Sequence, residues 1–353
     1  MLECILRLVI KMSRNMKEEN KKFFCNICNS LDQELVGRVP DCIRYITTNE
    51  EDKEWLKYVH IKRVHRFSKN AYGLLLLLRD KEYLCLINTN ICIEKLPDVL
   101  EETIVSAGLA TVLGAEGLLT PKVDQTLQVE IYDKVLYETF DDYHGHEWKE
   151  IEQYFPNVHC YEIDLKDDTV DIRENANAFY LVLSQVAIEF DMGNNPFGDI
   201  SKDAWERIIY EGNLSSIQFK NVLLAYTSLS WDISYLYLYQ CLEDKFAYES
   251  VQSLYNKLGL SISQQTLSCM LYDELSWQPK DLDGINKIIE RCPSESNAIK
   301  ILKSICEDQT LAKFIYSMRN RIVHETRETP ILLTDNERWE KAIAAMLYLL
   351  NEI

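Results

Sequence analysis

The chain has 353 residues, room for two domains of roughly 100–200 residues each. Its 47% apolar and 27% charged content, with only 8 Pro and 11 Gly, excludes a disordered or fibrous chain. A net charge of −18 excludes a general nucleic-acid coat held by whole-molecule attraction. Positions 1–200 hold 22 basic and 35 acidic side chains, and positions 201–353 hold 16 and 21, so any contact with RNA has to use local basic patches.

At the start, Met1 to Met12 is partly apolar, but Glu3 and Arg7 interrupt it and no small-residue cleavage site follows. A signal peptide is therefore not expected, and no stretch reaches the ~18 apolar residues of a membrane span. Eleven scattered cysteines are read as reduced thiols in a cytoplasmic protein with no membrane partner. Cys25 and Cys28 form the one CxxC pair; with no second pair at zinc-ribbon spacing, packing outweighs metal binding.

The segment Leu56 to Lys69 carries Lys57, Lys62, Arg63, Arg66 and Lys69 with no acidic residue, interleaved with Tyr58, His60, His65 and Phe67. Read one way, it is an anion site whose rings could stack on bases. Read the other way, it is a solvated face that balances acidic neighbours.

Residues 70–95 have the pattern of a strand hairpin. Tyr72 to Leu78 and Tyr83 to Ile87 flank a polar Arg79-Asp80-Lys81-Glu82 turn, and the apolar run Leu74 to Leu78 suits a strand buried on both faces. Leu96 to Leu113 reads as helix or helices. Leu127, Val129 and Ile131 alternate with polar neighbours, which predicts a strand over Leu127 to Tyr132, and a further strand is expected over Val158 to Ile163. Gly108, Gly114 and Gly117 are not spaced as a phosphate loop and no nucleophile-elbow serine occurs, so neither nucleotide hydrolysis nor serine chemistry is expected. His144-Gly145-His146, between Asp141-Asp142 and Glu147, invites a metal assignment, but a short polar loop is the favoured reading.

From about Asn175 the pattern changes. Ala178 to Phe190 is apolar with helical length, and Met192 to Gly198 is the densest cluster of helix breakers in the chain. A domain boundary is placed there, near residue 200. Beyond it, helices are expected over roughly 201–211, 214–228, 232–258, 262–275, 283–291, 296–305, 308–325 and 335–352. The fold class is α+β: a mixed α/β domain over 1–200, followed by an all-α bundle over 201–353.

The residues with chemistry to offer lie on one of these helices. Leu311, Phe314, Ile315, Met318 and Ile322 form an apolar stripe. At about 100° per residue, Asn320 and His324 fall on the opposite face one turn apart, with Arg319 at the edge of that polar surface. An arginine, an amide and a histidine suit phosphodiester cleavage without metal. Near pH 7 an imidazole can take up and return a proton, and a fixed guanidinium can stabilise charge on the phosphorus-centred transition state.

The run Arg319-Asn320-Arg321-Ile322-Val323-His324 resembles the arginine–polar–spacer–histidine signature of HEPN ribonucleases, small helical bundles of prokaryotic toxins and abortive-infection proteins. Tyr239-Gln240-Cys241-Leu242-Glu243, on an earlier long helix, is similar to a segment of many abortive-infection HEPN domains, and a final helix follows a loop containing Pro330. The resemblance covers roughly 215–353. It implies attack of a ribose 2′-OH on the adjacent phosphate, giving 2′,3′-cyclic phosphate and 5′-OH ends, with no metal and no cofactor. His324 would be the acid and base, Arg319 would bind and stabilise the phosphate, and Asn320 would support the geometry, with Arg321 adding to RNA binding. Glu243 either orients Arg319 or His324 or serves helix packing.

The same resemblance implies an RNA substrate, a homodimer or higher homo-oligomer, and residues 1–200 as a sensor for a regulatory protein or nucleic-acid trigger, as in antiviral defence or a toxin. Toxins silenced by nucleotidylation carry a Tyr two residues after the His; here that position is Thr326, which departs from their pattern. A second reading keeps the bundle as a non-catalytic RNA-binding or assembly adaptor.

Overall fold

The computed structural model describes residues 13–32, 44–67, 70–89, 100–122, 124–137, 143–163, 176–189, 193, 198–213, 217–259, 262–275, 277, 280–324 and 336–352. Lys69, Asp141, Asp142, Thr326, Pro330, most of the 192–198 breaker cluster and positions 96–99 lie outside them. The chain folds as two compact units, Met1–Asp168 and Thr169–Ile353, and its class is α+β.

The N-terminal unit is built on a five-stranded antiparallel sheet of order β1-β2-β3-β5-β4. The strands are β1 (His60–Arg66), β2 (Tyr72–Leu78), β3 (Lys81–Ile87), β4 (Leu100–Thr103) and β5 (Val158–Ile163). The β2–β3 hairpin turns through Arg79 and Asp80, and Arg79 adopts φ +57° to close it. Helices α1 (Met16–Ser30), α2 (Glu50–Tyr58) and α3 (Ala107–Ala115) supply one side of the core. Phe23, Phe24 and Ile27 of α1, Trp55 and Leu56 of α2, and Leu109, Val112 and Leu113 of α3 pack with Leu74, Leu76, Tyr83, Cys85 and Ile87. On the alternate positions, Leu75, Leu84, Leu86 and Tyr161 are buried as well, as the unbroken apolar run of β2 requires.

Asp52 ties this layer together. Its carboxylate accepts from the Asn49 N–H at 3.0 Å within the capping box of α2, and from the Ala107 N–H at the start of α3 at 2.9 Å. The two helices approach so closely that a Cβ on Gly108 would lie 1.8 Å from the Asp52 carbonyl oxygen.

Two sequence expectations fail in this unit. The segment predicted as a strand over Leu127 to Tyr132 is helix α4 (Gln125–Ile131), running on into a π-turn over Tyr132–Leu136. Leu127 and Ile131 are four apart and so share a helix face as readily as alternate strand positions; the Asp124 carboxylate decides the matter by accepting from the Leu127 N–H at 2.8 Å. Within the helix predicted over Leu96 to Leu113, Leu100–Thr103 instead pairs as β4, and the helix begins only at Ala107, where Ser106 caps it. A short helix α5 (Trp148–Ile151) precedes β5.

Nine helices are described in the C-terminal unit: α6 (Ala176–Glu189), α7 (Asp199–Tyr210), α8 (Phe219–Tyr226), α9 (Trp231–Leu258), α10 (Gln264–Leu275), α11 (Asp281–Arg291), α12 (Asn297–Ile305), α13 (Leu311–His324) and α14 (Asn336–Glu352). No strand occurs among its described residues. The division falls at 168/169 rather than near 200, because α6 packs on α7 and α8. The helical unit thus includes α6, which precedes the breaker cluster in sequence. At its centre stands α14, buried at every position from Ala342 to Leu350; it packs against α7, α9 and α12. Among the described residues no helix is long and apolar enough to cross a membrane.

Candidate functional site around Arg319

Helix α9 presents Tyr235, Tyr239 and Glu243 at four-residue intervals, one turn apart on a single stripe. Helix α13 lies against that stripe, anchored by buried Phe314, Ile315 and Met318, with Ile322 half-buried. Tyr235, fully buried, donates to the Ile315 carbonyl at 3.1 Å. One turn further along both helices, the Arg319 guanidinium lies 5.7 Å from the Tyr239 ring centroid, within cation–π range. Its Nη2 is 3.5 Å from Glu243 Oε1, and its Nη1 donates to Asn320 Oδ1 at 3.0 Å. The Tyr235–Ile315 bond thereby fixes the register that brings Arg319 to Glu243.

This cluster is partly withdrawn from water, with side-chain exposures of 27% for Arg319 and 35% for Glu243. Burial pushes the Glu243 carboxyl above its ordinary range; Arg319 opposes that shift, while Asp281, at the start of α11, and Asp244 add to it. Tyr239 is 1% exposed, its hydroxyl is buried without a hydrogen-bond partner, and burial, aided by Asp281 and Glu243, raises its phenol. Behind it, Phe246 meets the Tyr239 ring edge-on at 6.1 Å and leaves no room for a Cβ on Gly284 of α11, 2.5 Å away.

Of the residues expected at the site, Arg319, Asn320 and Glu243 are brought together. His324 is exposed at the end of α13, one turn beyond Asn320, and no hydrogen bond or ion pair joins it to Arg319. Five residues, roughly 140° around the helix, separate the two. Arg321 and Val323 are exposed beside His324. Neither Tyr239 nor Asp281 is among the site residues expected from the sequence. The four-residue spacing of Tyr239 and Glu243 was a usable signal for the first, whereas Asp281 reaches the cluster only through the packing of α11 on α9.

The basic segment of the N-terminal unit is divided by its fold. Lys57 ends α2, Lys62, Arg63 and Arg66 lie on β1, and Lys69 falls outside the described residues. β1 is an edge strand with a bulge between Ile61 and Arg63. Arg63 and Arg66, three residues apart, point to opposite faces of the sheet, and Lys62 and Arg66 are exposed while His65 is buried against Phe67. Arg66 lies 5.9 Å from the Tyr72 ring. Of the loop histidines, His146 is buried with Nε2 3.0 Å from the Val135 carbonyl, between Phe24 and Tyr143, while His144 is exposed. Cys25 and Cys28 are thiols on α1. A recess of about 530 Å³ lies among Lys122, Trp148, Lys149, Phe155 and His159 of the same unit, with Glu150 and Glu152 offsetting its lysines.

Comparisons with family models, with curated proteins and with solved structures give no match to this chain.

Proposed function

We propose that the helical unit is a metal-independent endoribonuclease of the HEPN type, acting on RNA by attack of a 2′-OH on the neighbouring phosphate. The observation that carries this reading is that Glu243 of α9 meets Arg319, itself bonded to Asn320, on α13, the helix that ends in an exposed His324. A guanidinium held half out of water is electrostatically stronger toward a phosphate than one in bulk solvent. An exposed imidazole is free to exchange protons with substrate.

In the reaction, an imidazole removes the 2′-OH proton, the new O–P bond forms as the bond to the 5′-oxygen breaks, and a protonated imidazole delivers the leaving group its proton. One copy supplies one His324, so two copies of the chain supply both roles, which makes a homodimer the working unit. The N-terminal unit would act as the sensor, and the reading fits a cytoplasmic antiviral or toxin effector.

A second reading, an RNA-binding or assembly adaptor, draws on the engagement of Arg319 by Glu243 and its separation from His324. Labelled RNA incubated in EDTA with the wild-type chain, Arg319→Ala and His324→Ala decides between them. Cleavage lost in both folded variants supports the enzyme. RNA binding without cleavage by any form, together with equal cellular toxicity of wild type and His324→Ala, supports the adaptor.

A further inference from the structure

The Arg319 guanidinium is committed on three sides: the Tyr239 ring, the Glu243 carboxylate and the Asn320 amide oxygen. In that place it cannot also lie along a phosphate presented to His324, which stands well around the helix. Its contact with Glu243 is open to competition, because 3.5 Å exceeds the roughly 2.7–2.9 Å of a well-formed charge-assisted hydrogen bond. The surroundings oppose an incoming anion as well. Glu243 on α9 faces Arg319 directly, and Asp244 on α9 and Asp281 on α11 lie near enough to act on that carboxylate. Tyr239, meanwhile, is fixed by its burial and offers the guanidinium a flat, apolar rest.

We propose that Glu243 is a positioning residue that holds Arg319 in a resting place over Tyr239, so that a phosphodiester gains the guanidinium only by displacing this carboxylate. The inference rests on the ribonuclease reading for its biological meaning, but its physical content is anion binding and can be read without catalysis.

The test uses the full chain and a short fluorescent oligothymidylate, a phosphodiester that lacks the 2′-OH and so cannot be cut. Glu243→Gln is expected to bind it roughly three- to tenfold more tightly than wild type, and Arg319→Ala/Glu243→Gln no more tightly than Arg319→Ala alone. Glu243→Asp keeps the charge and withdraws the carboxylate by one methylene; it should show a smaller gain that also needs Arg319, which keeps the test alive if the Gln variant does not fold. An equal gain with and without Arg319 would reduce the effect to lost negative charge and overturn the proposal, as would unchanged or weaker binding. Cleavage of RNA is scored separately. A chain that never cuts yet shows the Arg319-dependent gain keeps the latch and loses the ribonuclease reading, and one that cuts without the gain does the reverse.

Discussion

Two regions of the molecule use their withdrawn polar side chains differently. In the N-terminal unit, three buried polar side chains are bonded to backbone. Asp52 accepts from two N–H groups, Arg44 donates to the Leu136 carbonyl at 2.9 Å, and His146 meets the Val135 carbonyl. Asp52 and Arg44 thereby join segments distant in sequence, and the chemistry of all three side chains is spent on architecture. Around Arg319, by contrast, the partners are other side chains and the ion pair is long. Such loose satisfaction is costly in a core and is tolerable where a ligand is to complete it. The contrast separates polar groups that build a fold from polar groups available to something else.

The largest expected effect comes from attacking the loose cluster. Arg319→Ala or His324→Ala should lower RNA cleavage by about 10²- to 10⁴-fold. Because His324 is exposed, its removal should change unfolding free energy by no more than about 0.5 kcal/mol. Rates and denaturant curves on the same samples check both halves, and cleavage that survives either substitution would erase the distinction. Next is Gly108→Ala, where the new methyl would meet the Asp52 backbone; a loss of about 3 kcal/mol in stability is expected from urea unfolding.

Tyr239→Phe should do the opposite of a core truncation. Deleting a hydroxyl that has no partner is expected to leave stability unchanged or raise it by about 1 kcal/mol; a marked loss would reveal a partner for that hydroxyl. The smallest effect concerns pH. Burial holds the Glu243 carboxyl above its ordinary 4.5 in the folded unit despite Arg319, so the folded chain binds this proton more tightly than the unfolded chain does. Stability should therefore fall as pH rises from 4.5 through the raised value. Unfolding midpoints across that window should decline in wild type and decline less in Glu243→Gln.

Much of the fold was legible because its signals were long. Leu74 to Leu78 is the unbroken apolar run of a strand buried on both faces, and Leu311 to Ile322 carries a 3.6-residue apolar stripe. Leu127 to Tyr132 misled because Leu127 and Ile131, at i and i+4, satisfy both periods, and exposed Val129 between them completed a strand pattern; a single capping carboxylate settled the choice. The compact units divide at 168/169 and the breaker cluster follows later in the chain, since glycine and proline mark turns within a unit as well as between units. At the candidate site, Arg319, Asn320 and Glu243 could be named from the sequence. Their contact could not, since it depends on Tyr235 fixing how far α9 slides along α13. The basic segment over 57–69 looked continuous as a string, but strand alternation turned its arginines to opposite faces.

The central position of α14 has a consequence for how the protein is made. The sheet of the N-terminal unit is complete once residue 163 has been synthesised, so that half can consolidate while translation continues. Helix α9, which carries Tyr239 and Glu243, rests on α14, whose buried run extends to Leu350. A ribosome must therefore release nearly two hundred further residues before the arginine has its support, and a chain stalled after α13 would bear the whole signature yet lack the scaffold to use it.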